Sequence, residues 1–159
     1  MGPYGRLSAI ALTGVLLDQS LKWTVFQYLA TTQRWDITCF LSLVLSRNKG
    51  GVFGVIQGAN YLFILFSVLA LFLLLWVYER SDKGRLSTSL AMGCVLAGAV
   101  GNLIDRLAYN YVRDFIDLHV GMRHWPTFNL ADVFICVGVG LMAWKTLAPG
   151  SPGQPTKSG

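Results

Sequence analysis

Charged residues are scarce in this chain. They make up 13% of its 159 residues, whereas a soluble domain has about 25%. Hydrophobic residues account for 53%, and several runs reach the length of about 20 residues that a membrane helix needs. The formal net charge is +5, but the basic residues are scattered through the loops and form no cluster that would bind nucleic acid. The composition therefore predicts a membrane protein without a nucleic-acid partner.

Cysteine is also rare, and the common catalytic motifs are missing. Cys39, Cys94 and Cys136 have no C-x-x-C spacing, which argues against a disulfide framework or a zinc site. There is no H-E-x-x-H, no G-x-S-x-G and no G-x-x-x-x-G-K-[ST] motif. A metalloprotease, a serine hydrolase and a P-loop protein are therefore unsupported, and no metal or cofactor is expected. His119 and His124 are expected to be surface residues at the membrane interface.

Four segments have the length and composition of membrane helices: residues 7–29, 59–78, 86–107 and 128–147. Lipid offers no hydrogen bonds, so each backbone polar group must be satisfied within its own segment, which favours helices. We expect an all-α integral membrane protein in which residues 1–148 form one domain with four transmembrane helices. Residues 149–159 are rich in Pro, Gly and Ser and are expected to be a disordered cytoplasmic tail.

Basic residues in a short loop predict the orientation. Arg80, Lys83 and Arg85 lie between the second and third segments, and the positive-inside rule places such a loop in the cytoplasm. With four crossings, both termini lie on that side as well. The first segment contains Asp18 and Lys22 and has no small-residue cleavage site, so we expect it to be a retained span and not a cleaved signal peptide.

The connection between the first two segments contains strand-forming residues. Residues 36–45, DITCFLSLVL, are rich in apolar and β-forming side chains, and the turn signal NKGG follows at 48–51. We expect a short strand or hairpin that lies on the outer membrane surface. It would be a small β-like periplasmic element between helices 1 and 2.

Polar residues within the segments are grouped at one side of the membrane. A lone charge in hydrocarbon costs about 2.5–3.5 kcal/mol, so intramembrane acids should face protein or water and are candidates for a functional site. Asp18 and Lys22 are four residues apart, as are Asn102 and Arg106, and each pair projects from one helix face. Each is either a structural link between helices or part of a functional cavity. Alternating topology places these residues and the polar start of the fourth segment at the outer side.

Four carboxylates belong to this outer group: Asp105, Asp114, Asp117 and Asp132. Two acids held about 3 Å apart share a proton, so that one acts as a base toward water while the other donates a proton. Such a pair hydrolyses a peptide bond without a metal. Gly121 and Pro126 are turn residues that would bring the chain back and join two acids. The residues alone leave six pairs open, and any of these acids has the alternative of a salt bridge with Arg106 or Arg113.

With five short blocks taken together, the chain resembles the lipoprotein signal peptidase family, also called signal peptidase II. Its members are bacterial intramembrane aspartic proteases. In the family's order the blocks are DQSLK at 18–22, NKGGVFG at 48–54, GAVGNLIDR at 98–106, VRDF at 112–115 and PTFNLAD at 126–132. The resemblance implies that Asp114 and Asp132 form the catalytic dyad, and that Asp105 and Asp117 are structural. It also implies supporting or substrate-binding roles for Asp18, Lys22, Asn48, Gly50, Asn102, Arg106 and Asn129.

The resemblance further implies the reaction and its partners. The expected reaction is removal of the signal peptide from a prolipoprotein whose cysteine carries diacylglycerol, with the cut just before that cysteine, at the outer face of the bacterial inner membrane. Expected partners are these substrates, membrane lipid and globomycin-type inhibitors. Gly50, Gly51 and the preceding strand would form a surface cradle over the peptide. Partial desolvation would leave one member of the dyad protonated at neutral pH.

The sequence departs from the family pattern at two positions. Leu21 replaces a small hydroxyl residue and Val52 stands where Ala or Ser is common, which would affect substrate preference or rate and not the reaction class. One alternative to the protease is a transporter or channel that uses mid-membrane acids, for which Asp114, expected in a loop, would be dispensable. The other is a protein that binds lipidated peptides without cutting them. A cluster at one interface favours the protease over the channel.

Overall fold

The computed structural model describes residues 1–50 and 60–147. Within them lie four helices, close to the predicted segments: α1 (Pro3–Tyr28), α2 (Asn60–Arg80), α3 (Leu86–Tyr109) and α4 (Leu130–Leu147). Of the helices in these two ranges, three are long and apolar enough to cross a membrane, namely α2, α3 and α4. The protein is therefore mostly helical, with three candidate membrane spans. Outside the described residues lie Gly51, Val52, Ala59 and the predicted tail at 149–159.

α1 differs from the other helices in its charge. It is the longest of the four, at 26 residues, and begins at Pro3, before the predicted start. Proline suits a first helical turn, because its missing N–H would have no partner there and its φ is already helical. Asp18 and Lys22 are fully buried toward α3, whereas Leu12 and Leu16 are exposed. α1 therefore turns a polar face to the other helices and an apolar face outward.

α3 packs against each of the other helices. A side chain at Gly98 would collide with the main chain of α4 at Ala131, and one at Gly138 would collide with the main chain of α3 at Ala91. Small residues let helix backbones approach closely, which favours packing where lipid is as apolar as the side chains. This close approach brings the first turn of α4 beside the C-terminal half of α3, where the polar residues lie.

A four-stranded antiparallel sheet, in the order β1-β2-β3-β4, completes the fold. Its strands are β1 (Arg34–Asp36), β2 (Leu41–Asn48), β3 (Val112–Val120) and β4 (Arg123–His124). The short strand or hairpin predicted between α1 and α2 is confirmed as β1 and β2, although the turn that joins them lies at residues 37–40 and not at NKGG. β3 is an addition to the prediction, and the placement of Asp114 in a loop is wrong, because this residue lies within β3.

β3 escapes prediction because its sequence hides the period of a strand. Arg113, Asp114 and Asp117 place charges on both faces, so the alternation that marks a half-buried strand is absent. Its partner strand β2 precedes it in the sequence, with α2 and α3 between the two strands, so no local turn signal joins them. The boundaries of β3 have clear causes: α3 ends where Asn110 adopts the left-handed conformation, with φ 61°, and Gly121, with φ 57°, makes the turn after β3.

The sheet packs on the C-terminal end of α1. Val25 of α1 and Leu29, which directly follows α1, form a buried hydrophobic cluster with Phe115 of β3. Main-chain hydrogen bonds tie β3 to the segment before α4: the Phe128 N–H donates to the Ile116 carbonyl at 3.1 Å, and the Ile116 N–H donates to the Phe128 carbonyl at 2.9 Å. This pairing explains why α4 begins after the predicted position 128, and it places the first turn of α4 next to β3.

Candidate active site

α4 begins with a reciprocal pair of hydrogen bonds between Asn129 and Asp132. The Asp132 N–H donates to Asn129 Oδ1 at 3.0 Å, and the Asn129 N–H donates to Asp132 Oδ2 at 3.1 Å. This capping box satisfies N–H groups that have no partner within the helix. The acidic side chain also lies at the positive end of the helix dipole. An acid one turn inside an apolar helix is therefore compatible with the start of α4, and its Oδ1 remains free for other contacts.

Asn102 of α3 connects the capping box to α1. Its Nδ2 donates to Asp132 Oδ1 at 2.8 Å. Its Oδ1 accepts hydrogen bonds from Asn129 Nδ2 and from Lys22 Nζ, both at 3.1 Å. One amide side chain thus contacts three other residues of the predicted site and fixes α1, α3 and α4 relative to one another.

Asp114 approaches the same amides from β3. It is only 1% exposed, and its Oδ1 accepts a hydrogen bond from Asn129 Nδ2 at 2.7 Å. Its Oδ2 accepts one from Asn48 Nδ2 at 3.0 Å. Because Asn129 also forms the capping box with Asp132, a single residue bridges the two acids. Of the four candidate carboxylates, Asp114 and Asp132 are the two that converge on these amides.

The surroundings of Asp114 favour its protonated form. Burial, followed by the negative charge of the neighbouring Asp132, raises the pKa of Asp114 to about 7. The hydrogen bonds from Asn48 and Asn129 and the charge of Lys22 act in the opposite direction but do not cancel these effects. Asp132 itself is partly exposed. The pair therefore contains one buried acid that carries a proton up to neutral pH and one carboxyl group that is open to solvent.

Lys22 lies at the centre of a buried network of charges. Its Nζ is 2.8 Å from Asp18 Oδ2 and 3.3 Å from Asp105 Oδ2, and all three side chains are fully buried. The predicted pairing of Asp18 with Lys22 along one helix face is confirmed. Asp18 Oδ1 also accepts the Ala131 N–H at 2.9 Å, so α1 supplies a second cap to the start of α4.

Of the two readings that the spacing of Asn102 and Arg106 left open, a structural contact between the amide and the guanidinium is not observed. Arg106 Nη1 lies 3.4 Å from the main-chain carbonyl of Asn102, and its guanidinium lies over the Phe63 ring at 5.4 Å. The Asn102 side chain is already occupied by the contacts to Lys22, Asn129 and Asp132 described above. Asn102 therefore hydrogen-bonds to residues of α1 and of the start of α4 in preference to the Arg106 side chain one turn away on its own helix. Arg106 remains close enough to Asp114 and Asp132 to interact electrostatically with both.

Asp117 lies away from the converging amides, and its side chain contacts residues of β1 and β4. Its carboxylate contacts Arg34 Nη1 at 3.0 Å and His124 Nδ1 at 2.9 Å. His124 is exposed, as predicted, whereas His119 is partly buried and contacts Ser42 Oγ at 2.9 Å. These contacts link strands of the sheet to one another.

Two residues near the site were not among the predicted site residues. Arg113 forms a buried ion pair with Asp105 at 2.7 Å, and Gln19 donates to Asp105 Oδ1 at 3.1 Å. Gln19 lies in the first block of the resemblance and Arg113 in the fourth, and the ion pair of Arg113 with Asp105 matches the salt bridge that the sequence left open as an alternative. Gly50, which the resemblance implicated, donates its N–H to Asn48 Oδ1 at 3.1 Å and so contacts the amide that binds Asp114.

The arrangement is suited to acid–base chemistry. A protonated buried carboxyl group beside a solvent-accessible one provides a proton donor and a proton acceptor, and amide hydrogen bonds fix both. Within residues 1–50 and 60–147, no three His, Cys, Asp or Glu side chains are grouped so as to hold a metal ion.

Known proteins resemble this chain over most of its length. The family model described as signal peptidase (SPase) II matches residues 10–148. A lipoprotein signal peptidase of Polynucleobacter necessarius is 38% identical over 146 residues, 89% of each chain. That of Syntrophotalea carbinolica is 38% identical over 140 residues, 86% of this chain and 87% of the relative. The chain covers nearly the whole length of these relatives.

Solved structures show the same fold. One, described as a bacterial membrane enzyme, has a TM-score of 0.80 and 28% identity and is matched over 95% of this chain and 94% of its own. A second of the same description has a TM-score of 0.78 and 30% identity, with 91% and 94% covered. With its three apolar helices, this is a multi-pass bacterial membrane protein. The resemblance predicted from five short blocks is confirmed: the chain belongs to the signal peptidase II family of proteases.

Proposed function

We propose that this protein is an aspartic endopeptidase that removes the signal peptide from diacylglyceryl-modified prolipoproteins, with Asp114 and Asp132 as its catalytic dyad. The observation that carries the proposal is the bridge by Asn129, which bonds to both acids. The cut lies just before the lipidated cysteine, at the outer membrane face. The names of the relatives, lipoprotein signal peptidases, support this substrate class.

In the proposed reaction Asp132 is the base and Asp114 the acid. Asp132 takes a proton from water, the water oxygen attacks the carbonyl carbon of the scissile bond, and Asp114 gives its proton to the carbonyl oxygen. When the C–N bond breaks, Asp132 gives its proton to the leaving nitrogen and Asp114 recovers one from a hydroxyl of the intermediate. The products are a carboxyl group on the signal peptide and the free amino group of the lipidated cysteine.

The neutral polar residues orient the two acids. Asn102 and Asn129 hold Asp132 and connect it to Asp114, while Asn48 donates to the far oxygen of Asp114. Gly50 fixes the Asn48 side chain through its N–H. Since amides cannot lose a proton near neutral pH, they set geometry without competing for the proton of the dyad.

The charged residues around the site stabilise the arrangement of the two acids. Lys22 holds the Asn102 amide, and Asp18 both neutralises Lys22 and caps α4. Arg106 supplies a positive charge beside the dyad. We assign no proton transfer to any of the three.

We further propose that α1 is the fourth transmembrane helix of a single domain spanning residues 1–148, with 149–159 as a cytoplasmic tail. Its 26 residues extend about 39 Å, more than the bilayer core of about 30 Å. Its charged residues near the site face α3, and its outward face carries Leu12, Leu16 and Trp23.

The proposed orientation follows from the loop between α2 and α3. Its basic residues, Arg80, Lys83 and Arg85, favour cytoplasmic termini in the inner membrane and a dyad at the periplasmic side. Membrane lipid and, by family resemblance, globomycin-type inhibitors are proposed ligands.

A cleavage assay tests the proposed function. Purified protein in detergent is incubated with a diacylglyceryl-modified prolipoprotein, and the product is followed by a gel shift and by mass spectrometry. We expect a single cut before the lipidated cysteine, and none in the same prolipoprotein without diacylglycerol. Binding of the lipidated substrate without cleavage would favour a lipopeptide-binding protein, and ion flux in vesicles without cleavage would favour a transporter.

Activity is expected to decline as pH rises through about 7, because Asp114 then loses the proton that it must donate.

The variant Asn48→Ala tests the same assignment, because it removes a hydrogen bond that lowers the pKa of Asp114. The alkaline limb should therefore move upward by about one pH unit, since a hydrogen bond to a charged group is worth about 1.5 kcal/mol. Initial rates between pH 5 and pH 10 give the profile. Gln27→Ala, which removes an exposed amide from α1, is the control; a downward shift for Asn48→Ala would contradict the assignment of Asp114 as acid.

A further inference from the structure

Arg113 lies immediately before Asp114 on β3 and is 6% exposed. Successive side chains of a strand point to opposite faces, so Arg113 is directed away from Asp114 and toward the helices. Its guanidinium lies 4.6 Å from the centre of the Tyr109 ring at the end of α3. The sequence offered Arg113 only as a salt-bridge partner for one of the acids, and the proposed mechanism gives this buried cation no role.

Four hydrogen bonds connect Arg113 to two helices. Its main-chain N–H donates to Asp105 Oδ2 at 2.8 Å, and its Nε and Nη2 donate to Asp105 Oδ1 at 3.2 and 2.7 Å. Nη2 also donates to Gln19 Oε1 of α1 at 2.7 Å. The planar guanidinium can hold two acceptors in fixed directions, which a lysine ammonium cannot reproduce. The start of β3 is therefore tied to both α3 and α1.

We propose that Arg113 is a positioning residue that fixes Asp114 against Asp132, an inference that rests on the proposed function. On one side, Arg113 is covalently joined to Asp114. On the other, Asp105 contacts Lys22, Lys22 contacts Asn102, and Asn102 donates to Asp132. The two halves of the dyad are thus connected through one continuous chain of polar contacts that passes through Arg113.

Kinetics distinguish positioning from simple charge neutralisation. In Arg113→Met, kcat should fall about 100-fold with little change in KM, because small displacements of catalytic groups cost about this factor. Arg113→Lys keeps the charge beside Asp105 but cannot also hold Gln19, so its kcat should stay well below that of the wild type. Arg123→Met, at an exposed arginine of β4, is the matched control and should leave kcat unchanged. Full activity in Arg113→Lys would overturn the proposal.

Hydrogen exchange tests the same inference without catalysis. Amide exchange of residues 113–116, measured by mass spectrometry on the folded chain, should be faster in Arg113→Met and Arg113→Lys than in the wild type and in Arg123→Met. Unchanged exchange in both variants would overturn the role of Arg113 even if the wild type cleaves. If the wild type cuts no lipidated substrate, the proposed function fails, while the exchange result still decides whether Arg113 fixes β3.

Discussion

A chain with Asn in place of Asp132 is expected to cleave the lipidated substrate about 10⁴-fold more slowly than the wild type, the upper end of what a positioned acid or base contributes. The amide retains an oxygen that can accept the Asn129 N–H of the capping box, so α4 should still begin at the same place. An amide cannot take a proton from water, however. The loss should therefore appear in kcat, with the fold intact.

Asp114→Asn should produce a loss of the same size for the complementary reason. The amide fits the buried site beside Asn48 and Asn129 but has no acidic proton to donate at neutral pH. Because the two acids act as a unit, the double variant should be no slower than either single one. Steady-state rates together with thermal unfolding of each variant provide the measurement.

The control for both variants is Asp36→Asn. Asp36 lies on β1 of the same sheet, but its side chain is 66% exposed and contacts Arg34 and Ser42. This variant should cleave at the wild-type rate. A folded Asp114→Asn or Asp132→Asn protein with nearly wild-type kcat would refute the dyad.

Lys22→Met is expected to destabilise the protein by about 3–5 kcal/mol, which is the usual cost of removing one partner of a buried ion pair. Asp18 and Asp105 would both remain fully buried without their common cation. Methionine has a similar length, so the lost stability would come from the charge and not from an empty space. A loss of this size is a large part of a typical folding free energy of about 5–15 kcal/mol.

Lys83→Met gives a matched comparison, because Lys83 also pairs with an acid four residues away on the chain. Its Nζ lies 2.6 Å from Glu79 Oε2, but here the acid is 54% exposed. Exposed ion pairs contribute little, so this variant should unfold at the wild-type temperature. Thermal unfolding in the same detergent compares the two variants. Equal losses, or no loss in Lys22→Met, would contradict the importance of the buried network.

Helices α2, α3 and α4 were predictable because hydrophobic length defines them, and α1 was predicted from its length in spite of Asp18 and Lys22. Strand β2 was predictable as well from its β-forming residues, but the turn that joins it to β1 lies at residues 37–40, before the NKGG signal at 48–51. β3 was not predictable, because its polar residues face different partners on each side: Arg113 binds α3, Asp114 binds Asn48 and Asn129. A strand whose two faces both carry charges has no periodic signal, and only its tertiary contacts define it.

The site was predictable in part. Spacing on one helix identified the pair Asp18–Lys22. For Asn102 the spacing left two readings open, and the side chain contacts Asp132 of α4 and not the Arg106 side chain. Local spacing cannot show which helix lies opposite a side chain. The choice of Asp114 and Asp132 among six possible pairs came from the family resemblance, and their catalytic role stays a prediction.

The spacing of Asp18 and Lys22 also bears on how the chain is synthesised. α1 leaves the ribosome before α3 and α4, so the partners of these two residues in those helices do not yet exist. Because Asp18 and Lys22 are four residues apart, their opposite charges pair within α1 itself. If α1 is the proposed fourth span, it then enters the membrane without a net charge from these residues. Asp132 is synthesised after every other residue of the proposed site, so the proposed peptidase becomes active only after the start of α4 has joined the other helices.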